Sequence, residues 1–85
     1  MPINKNAYQR YVVIDSMLRN KMRPYPTLEQ IVAACWDRLE IETKPNTIAK
    51  DIERMRMLPP VGFDAPIKFD RYHWGYVYTD PDFKI

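Results

Sequence analysis

Four side chains near the middle of the sequence carry the groups from which a base-reading surface is made. Asn46 offers an amide, Thr47 a hydroxyl and a methyl, and Lys50 and Arg54 positive charge. An asparagine amide matches N6 and N7 of adenine with two hydrogen bonds, and a threonine can meet a base through either of its groups. Each good pair is worth roughly 1–3 kcal/mol of discrimination. Lysine and arginine bind phosphate oxygens and supply affinity more than sequence information. Asn46, Thr47 and Lys50 are thus the candidate base-reading residues, with the charge of Lys50 also serving affinity. Lys44 and Arg54, at the two ends of the segment, are candidate backbone contacts. A solvated helix face is the bland alternative for the same pattern.

Other cations lie elsewhere in the chain. Lys21 and Arg23 stand beside Pro24, between two helical patterns, where either phosphate contact or plain solvation suits them. Lys68, Arg71 and His73 fall in a C-terminal hairpin pattern, Arg71 and His73 at its tip and Lys68 on its flank, from which a wing can reach the minor groove. Tyr72 and Trp74 suit packing on sugars, against a neighbouring domain or over the helical core. His73 lacks a carboxylate or nucleophile partner, and neither a ligand cluster nor a phosphate-cradling glycine loop is visible. The expectation is therefore no catalytic residue, no metal, no cofactor and no enzyme activity. Cys35, the one cysteine, cannot form an internal disulfide and falls on an apolar stripe, so it reads as core.

The elements that must position these groups follow from apolar spacing. Ala7, Tyr11, Ile14 and Leu18 draw one stripe at helical period, which predicts a first helix over residues 5–20 with Asn4 as N-cap and Asn20 as a left-handed stop. Pro24 and Pro26 forbid its continuation. Thr27-Leu28-Glu29-Gln30 is a capping box and opens a second helix over 28–39, with Leu28, Ile31, Val32, Cys35 and Leu39 inward and Glu29, Asp37 and Arg38 toward water. Ile41 anchors the turn that follows.

Pro45 is tolerated only in a first helical turn, so a third helix runs over 45–57, capped by Thr43 or Lys44, with Ile48, Ile52 and Met55 inward. Met17, Met55 and Met57 read as gap-fillers of the core. Leu58-Pro59-Pro60-Val61-Gly62 ends that helix, with Gly62 available for a positive φ. Ile67-Lys68-Phe69-Asp70 alternates apolar with charged, Tyr76-Val77-Tyr78-Thr79 is rich in strand formers, and residues 71–75 connect them as a hairpin. Helix, helix, helix, hairpin is the order of a winged helix-turn-helix, an α+β fold in which the third helix enters the major groove and the hairpin, residues 67–79, lies near the backbone or minor groove.

Composition sets the bounds. Eighty-five residues make one domain, residues 1–85, and a chain this short buries only about 60% of the surface its unfolded form exposes. The 46% hydrophobic and 13% aromatic content belongs to a folded protein rather than a disordered one. The net charge of +2 is uneven: residues 1–26 carry +4, 27–43 carry −3, 44–57 carry +2 and 58–85 carry −1, which makes the first and third helices the basic ones. Residues 1–6 lack the apolar run of a secretory signal and no stretch of about 18 apolar residues occurs, so a cytoplasmic protein with no membrane partner is expected.

The residues also resemble a known group. Arg10-Tyr11-Val12-Val13-Ile14-Asp15, Leu18-Arg19-Asn20-Lys21 and Thr27-Leu28-Glu29-Gln30-Ile31 look like the start of WYL-domain bacterial transcriptional regulators, particularly Bacteroidetes members. Residues 47–56, whose pattern is Thr-Ile-x-x-Asp-Ile-x-x-Met-Arg, are similar to their recognition helix and form the most specific part of the likeness. Residues 62–67 and 75–83 resemble the approach to the wing and the strand that follows it. Lys44-Pro45-Asn46 stands where members tend to carry a serine cap and a basic residue. The resemblance implies a DeoR-like winged helix that binds double-stranded DNA, homodimeric in the full protein, and ahead of a separate WYL domain through which any ligand would act. On that expectation the chain is a fragment cut at a domain boundary or a free-standing head. The alternative function is a winged helix used for protein contact through Trp36, Tyr72 and Trp74.

Overall fold

The computed structural model describes residues 6–85. Its elements are α1 (Ala7–Leu18), α2 (Leu28–Leu39), α3 (Pro45–Arg56), β1 (Ile67–Asp70) and β2 (Gly75–Tyr78). Three helices precede a two-stranded antiparallel hairpin, so the domain is a small α+β unit. Among the described residues no helix is long and apolar enough to cross a membrane.

The capping box forms as its residue types require. The Gln30 amide donates to Thr27 Oγ1 at 3.2 Å, and the Thr27 amide donates to Gln30 Oε1 at 3.0 Å, so two free donors at the helix start are satisfied. At the other end Glu40 turns left-handed (φ 53°) and the Ile41 amide reaches back to the Cys35 carbonyl at 3.3 Å. Leu39, expected inward, is 37% exposed because the helix ends there and the chain turns away.

Helix α3 opens with Pro45 in its first turn, as expected. Its cap is Lys44, in extended backbone and without a side-chain hydrogen bond, whereas the Thr43 hydroxyl is buried without a partner. Met57 leaves the helix in extended backbone and is half exposed rather than core. The amides of Phe63 and Ala65 then both donate to the Met55 carbonyl, at 3.1 and 2.9 Å, which folds the chain back over the helix end. Gly62 is needed there for close approach rather than for the positive φ expected of it. A Cβ at that position would lie 2.0 Å from the Arg54 carbonyl oxygen, and no described glycine has a positive φ.

The predicted stop of α1 also works differently. Asn20 is not left-handed; its Oδ1 accepts from the amides of Met22 (2.9 Å) and Arg23 (3.3 Å) and so shapes the α1–α2 connection. The proposed Asn4 cap lies outside the described residues; the helix starts at Ala7, and its N-cap residue Asn6 makes no side-chain capping hydrogen bond.

Ile14, Ile31, Ile48, Met55 and Cys35 are fully buried and fill the centre where the three helices meet, with Ile52, Ile67 and Tyr78 around them. Burying a side chain such as Ile14 is worth roughly 1.5–3 kcal/mol. Helix α1 packs against α2, α3 and β2, which explains why it buries residues around much of its circumference rather than along one stripe. The hairpin is in register Ile67↔Tyr78, Lys68↔Val77, Phe69↔Tyr76 and Asp70↔Gly75. It is fastened at both ends: the Thr79 amide donates to the Pro66 carbonyl at 2.7 Å, and the Tyr76 amide to the Pro26 carbonyl at 2.9 Å.

Among the described residues three charged side chains are buried, and each is paired. Arg10 and Asp51, 5% and 4% exposed, join α1 to α3 through two parallel hydrogen bonds, Nε to Oδ2 at 2.5 Å and Nη2 to Oδ1 at 3.1 Å. Asp15 accepts from Tyr78 Oη at 2.7 Å, Arg19 Nε at 2.9 Å and the Ile85 amide at 3.3 Å. The positive charge expected on the surface of the first helix is thus partly spent inside, because Arg10 is the partner a buried carboxylate must have.

Candidate functional site

Helix α3 divides its sequence cleanly. Ile48, Asp51, Ile52 and Met55 are buried against α1 and α2, and Asn46, Lys50, Glu53, Arg54 and Arg56 are exposed. Thr47 is half-buried at the edge of the exposed face. Among the described residues the side chains of Lys44, Asn46, Lys50 and Arg54 have neither hydrogen bonds nor ion pairs, so nothing in the fold consumes them. At 1.5 Å per residue, Asn46 and Arg54 stand about 12 Å apart along the helix axis. This row of one amide and three cations can donate hydrogen bonds to base edges and to phosphates along about the width of a major groove.

Two residues on that face escaped the sequence pattern. Glu53 lies one turn beyond Lys50 and pairs with Arg56 at 3.1 Å, with both side chains at least half exposed. An exposed pair of this kind is worth well under 1 kcal/mol, so Arg56 is free to exchange Glu53 for another acceptor. Arg54 and Arg56 also stand in the last turn, where cations suit the negative end of the helix.

The hairpin packs against α1 through β2. Burial, and next the carboxylates of Glu53 on α3 and Glu29 on α2, push the Tyr76 hydroxyl above its ordinary titration range. Lys68 is exposed opposite Val77, and Arg71 is exposed in the 71–74 turn, as the hairpin pattern required. His73 is exposed in the turn, as expected, but does not lack a carboxylate neighbour. Its ring stacks on Tyr25, centroids 3.9 Å apart and 3° from parallel, and its Nδ1 stands 3.3 Å from Asp70 Oδ2.

Asp70 organises that turn. Its Oδ1 accepts from the amides of Tyr72 (2.8 Å) and His73 (3.1 Å), and the bond from the His73 amide is the chief reason its carboxyl titrates below the usual range. Trp74 closes the turn in the left-handed region (φ 56°), a conformation that costs an indole residue roughly 1–3 kcal/mol. Gly75 follows because a Cβ there would sit 1.9 Å from the Tyr25 carbonyl oxygen. Tyr72 and Trp74, for which core coverage was one expectation, are instead 88% and 72% exposed. Trp36 is exposed on α2 and makes no ring contact with them, so the three aromatics do not form one stacked cluster.

Lys21 and Arg23 are exposed in the α1–α2 connection, which touches the hairpin through Tyr25 and Pro26 rather than α3. Arg23 lines a groove of about 490 Å³ with Met17, Tyr25, Gln30, Asp37 and Arg38. Cys35 is fully buried, and its thiol is pushed up chiefly by that burial, as befits a packing residue. No protein-family model matches the chain, and neither a curated protein nor a solved structure is found to be similar to it.

Proposed function

We propose that this domain is a winged helix-turn-helix that binds double-stranded DNA in a transcriptional regulator. In this reading α3 enters the major groove, where Asn46 and Thr47 meet base edges, Lys50 reaches bases or phosphate, and Lys44 and Arg54 hold the groove walls. Arg71 and Lys68 face the backbone or minor groove from the hairpin, and Lys21 and Arg23 add outlying charge. Dimerisation in the intact regulator would set the spacing of two half-sites.

The observation that carries the proposal is the row of unengaged donors on α3, about 12 Å long, on a helix whose other face is pinned by a buried ion pair. Among the described residues these cations have no partners, so the fold leaves them available to a ligand. The hairpin adds two more exposed cations, Lys68 and Arg71.

The test is a salt series of binding to random duplex. If about four phosphates are neutralised, the logarithm of the affinity falls against the logarithm of salt concentration with a slope near −3.6. A flat response sinks the proposal and favours the alternative, protein contact through the exposed aromatics.

A further inference from the structure

The turn of the hairpin is built to hold two aromatic rings out in water. Nothing in the core requires this: Tyr72 and Trp74 are the most exposed of the aromatic residues, and each touches only one ring, edge on. Trp74 meets Phe69 at 6.0 Å and 72°, and Tyr72 meets His73 at 4.9 Å and 76°. The rest of the turn is rigid. Asp70 clamps the amides of Tyr72 and His73, His73 stacks on Tyr25, and Gly75 lies against the Tyr25 backbone. Trp74 holds a left-handed backbone conformation that glycine or asparagine would adopt with less strain.

The charges of the hairpin select the partner. Lys68 and Arg71 are exposed without an ion pair, while Asp70, the carboxylate within the turn, is engaged by two amides and His73. Exposed aromatic faces on a hairpin that also carries free cations match a strand of nucleic acid whose bases are not paired: rings stack on bases, and cations follow the phosphates. An intact duplex offers only edges and backbone, and opening a base step to admit a ring is costly.

We infer that the hairpin turn is a second nucleic-acid contact, in which Tyr72 and Trp74 stack on unpaired bases while Lys68 and Arg71 bind the adjoining phosphates. The inference rests on the DNA-binding reading and extends it, from a domain that reads closed duplex to one that favours a gap, bulge or melted end beside its site.

Trp74 and Trp36 are the two tryptophans, so Trp36→Phe leaves Trp74 as the sole indole reporter. The experiment titrates that protein with three probes: a thymine single strand of about 12 nucleotides, a blunt duplex, and the same duplex with a short central gap. Trp74 emission should be quenched by the single strand and the gapped duplex, and far less by the blunt one. Stacking energies imply that Trp74→Ala or Tyr72→Ala each weakens single-strand and gapped binding roughly 5-fold or more. Blunt-duplex affinity should change less than about 2-fold, since backbone charge supplies most of it. Both side chains are mostly solvated, and an unchanged circular dichroism melt identifies variants that fold. Duplex binding with silent Trp74 emission overturns this inference alone, as does an equal loss on all three probes. Failure to bind any of the three overturns the DNA-binding reading with it.

Discussion

Replacing Asp51 by alanine leaves the guanidinium of Arg10 inside the protein with no counter-charge. The side chains of the pair are only 6% and 5% exposed, and the carboxylate now accepts two hydrogen bonds from Arg10, so little water can take its place. A guanidinium stays protonated in proteins even without a counter-charge, so Arg10 cannot escape by losing its proton. Breaking one side of such a pair costs about 3–5 kcal/mol. Stability of roughly 0.05–0.15 kcal/mol per residue gives this chain about 4–13 kcal/mol in all. Asp51→Ala should therefore remove a large share of it and lower Tm by at least about 12 °C. Arg10→Met should do comparable damage by stranding the carboxylate. The double variant Arg10→Met, Asp51→Leu removes both charges and fills the space, and it should recover most of the loss. Urea unfolding followed by circular dichroism of the parent, Arg10→Met, Asp51→Leu and the double variant gives all four corners of the cycle. The reasoning fails if the single costs simply add in the double variant, or if each single variant loses under about 1 kcal/mol.

Other outcomes follow from the same structure. Lys50→Glu with Arg54→Glu should abolish duplex binding at moderate salt, and changing both to alanine should move the salt slope from about −3.6 to about −1.8; surface changes of this kind should move stability by no more than about 0.5 kcal/mol, read from the urea midpoint. Gly75→Ala places a methyl against the Tyr25 carbonyl and should cost roughly 1–3 kcal/mol, with faster hydrogen exchange at the Tyr76 amide that donates to Pro26. Tyr78→Phe should cost about 1–3 kcal/mol by removing a donor from buried Asp15. Burial, with the Asp15 hydrogen bond second, raises the Tyr78 hydroxyl above its unfolded value of 10.0, so its contribution is complete below that pH and is lost as the medium becomes more alkaline. A pH series of melts should show that alkaline loss in the parent and less of it in Tyr78→Phe.

Much of this architecture can be read from local residue chemistry. Thr27 with Gln30, Pro45 in a first turn, and the alternation in Ile67-Lys68-Phe69-Asp70 each act within a few residues, and each produced the element expected. The exposed row of Asn46, Lys50 and Arg54 was legible for the same reason: a helix with Ile48, Ile52 and Met55 inward leaves those positions nowhere else to go. What escaped depends on distant partners. Hydrophobic periodicity sends every charged residue to water, whereas Arg10 finds Asp51 41 positions away and Asp15 finds Tyr78 63 positions away. The roles of Gly62 and Gly75 were hidden because a neighbouring carbonyl, absent from any local pattern, fills the space of their missing side chains. The run Thr-Ile-x-x-Asp-Ile-x-x-Met-Arg is instructive here: its Ile48, Asp51, Ile52 and Met55 are all buried, so the pattern speaks for packing and leaves the outer face free to vary.

The fork of Arg10 on Asp51 has one more consequence, for orientation. A helix resting only on greasy contacts can roll about its axis, and sliding α3 by a single residue would spin its outer side through about 100°. Two parallel hydrogen bonds from a planar guanidinium do not survive such a turn. The ion pair thus acts as a key in a slot: it fixes the azimuth of Asn46 and Lys50 without touching either, so those positions can be rewritten for a new target while their aim stays the same.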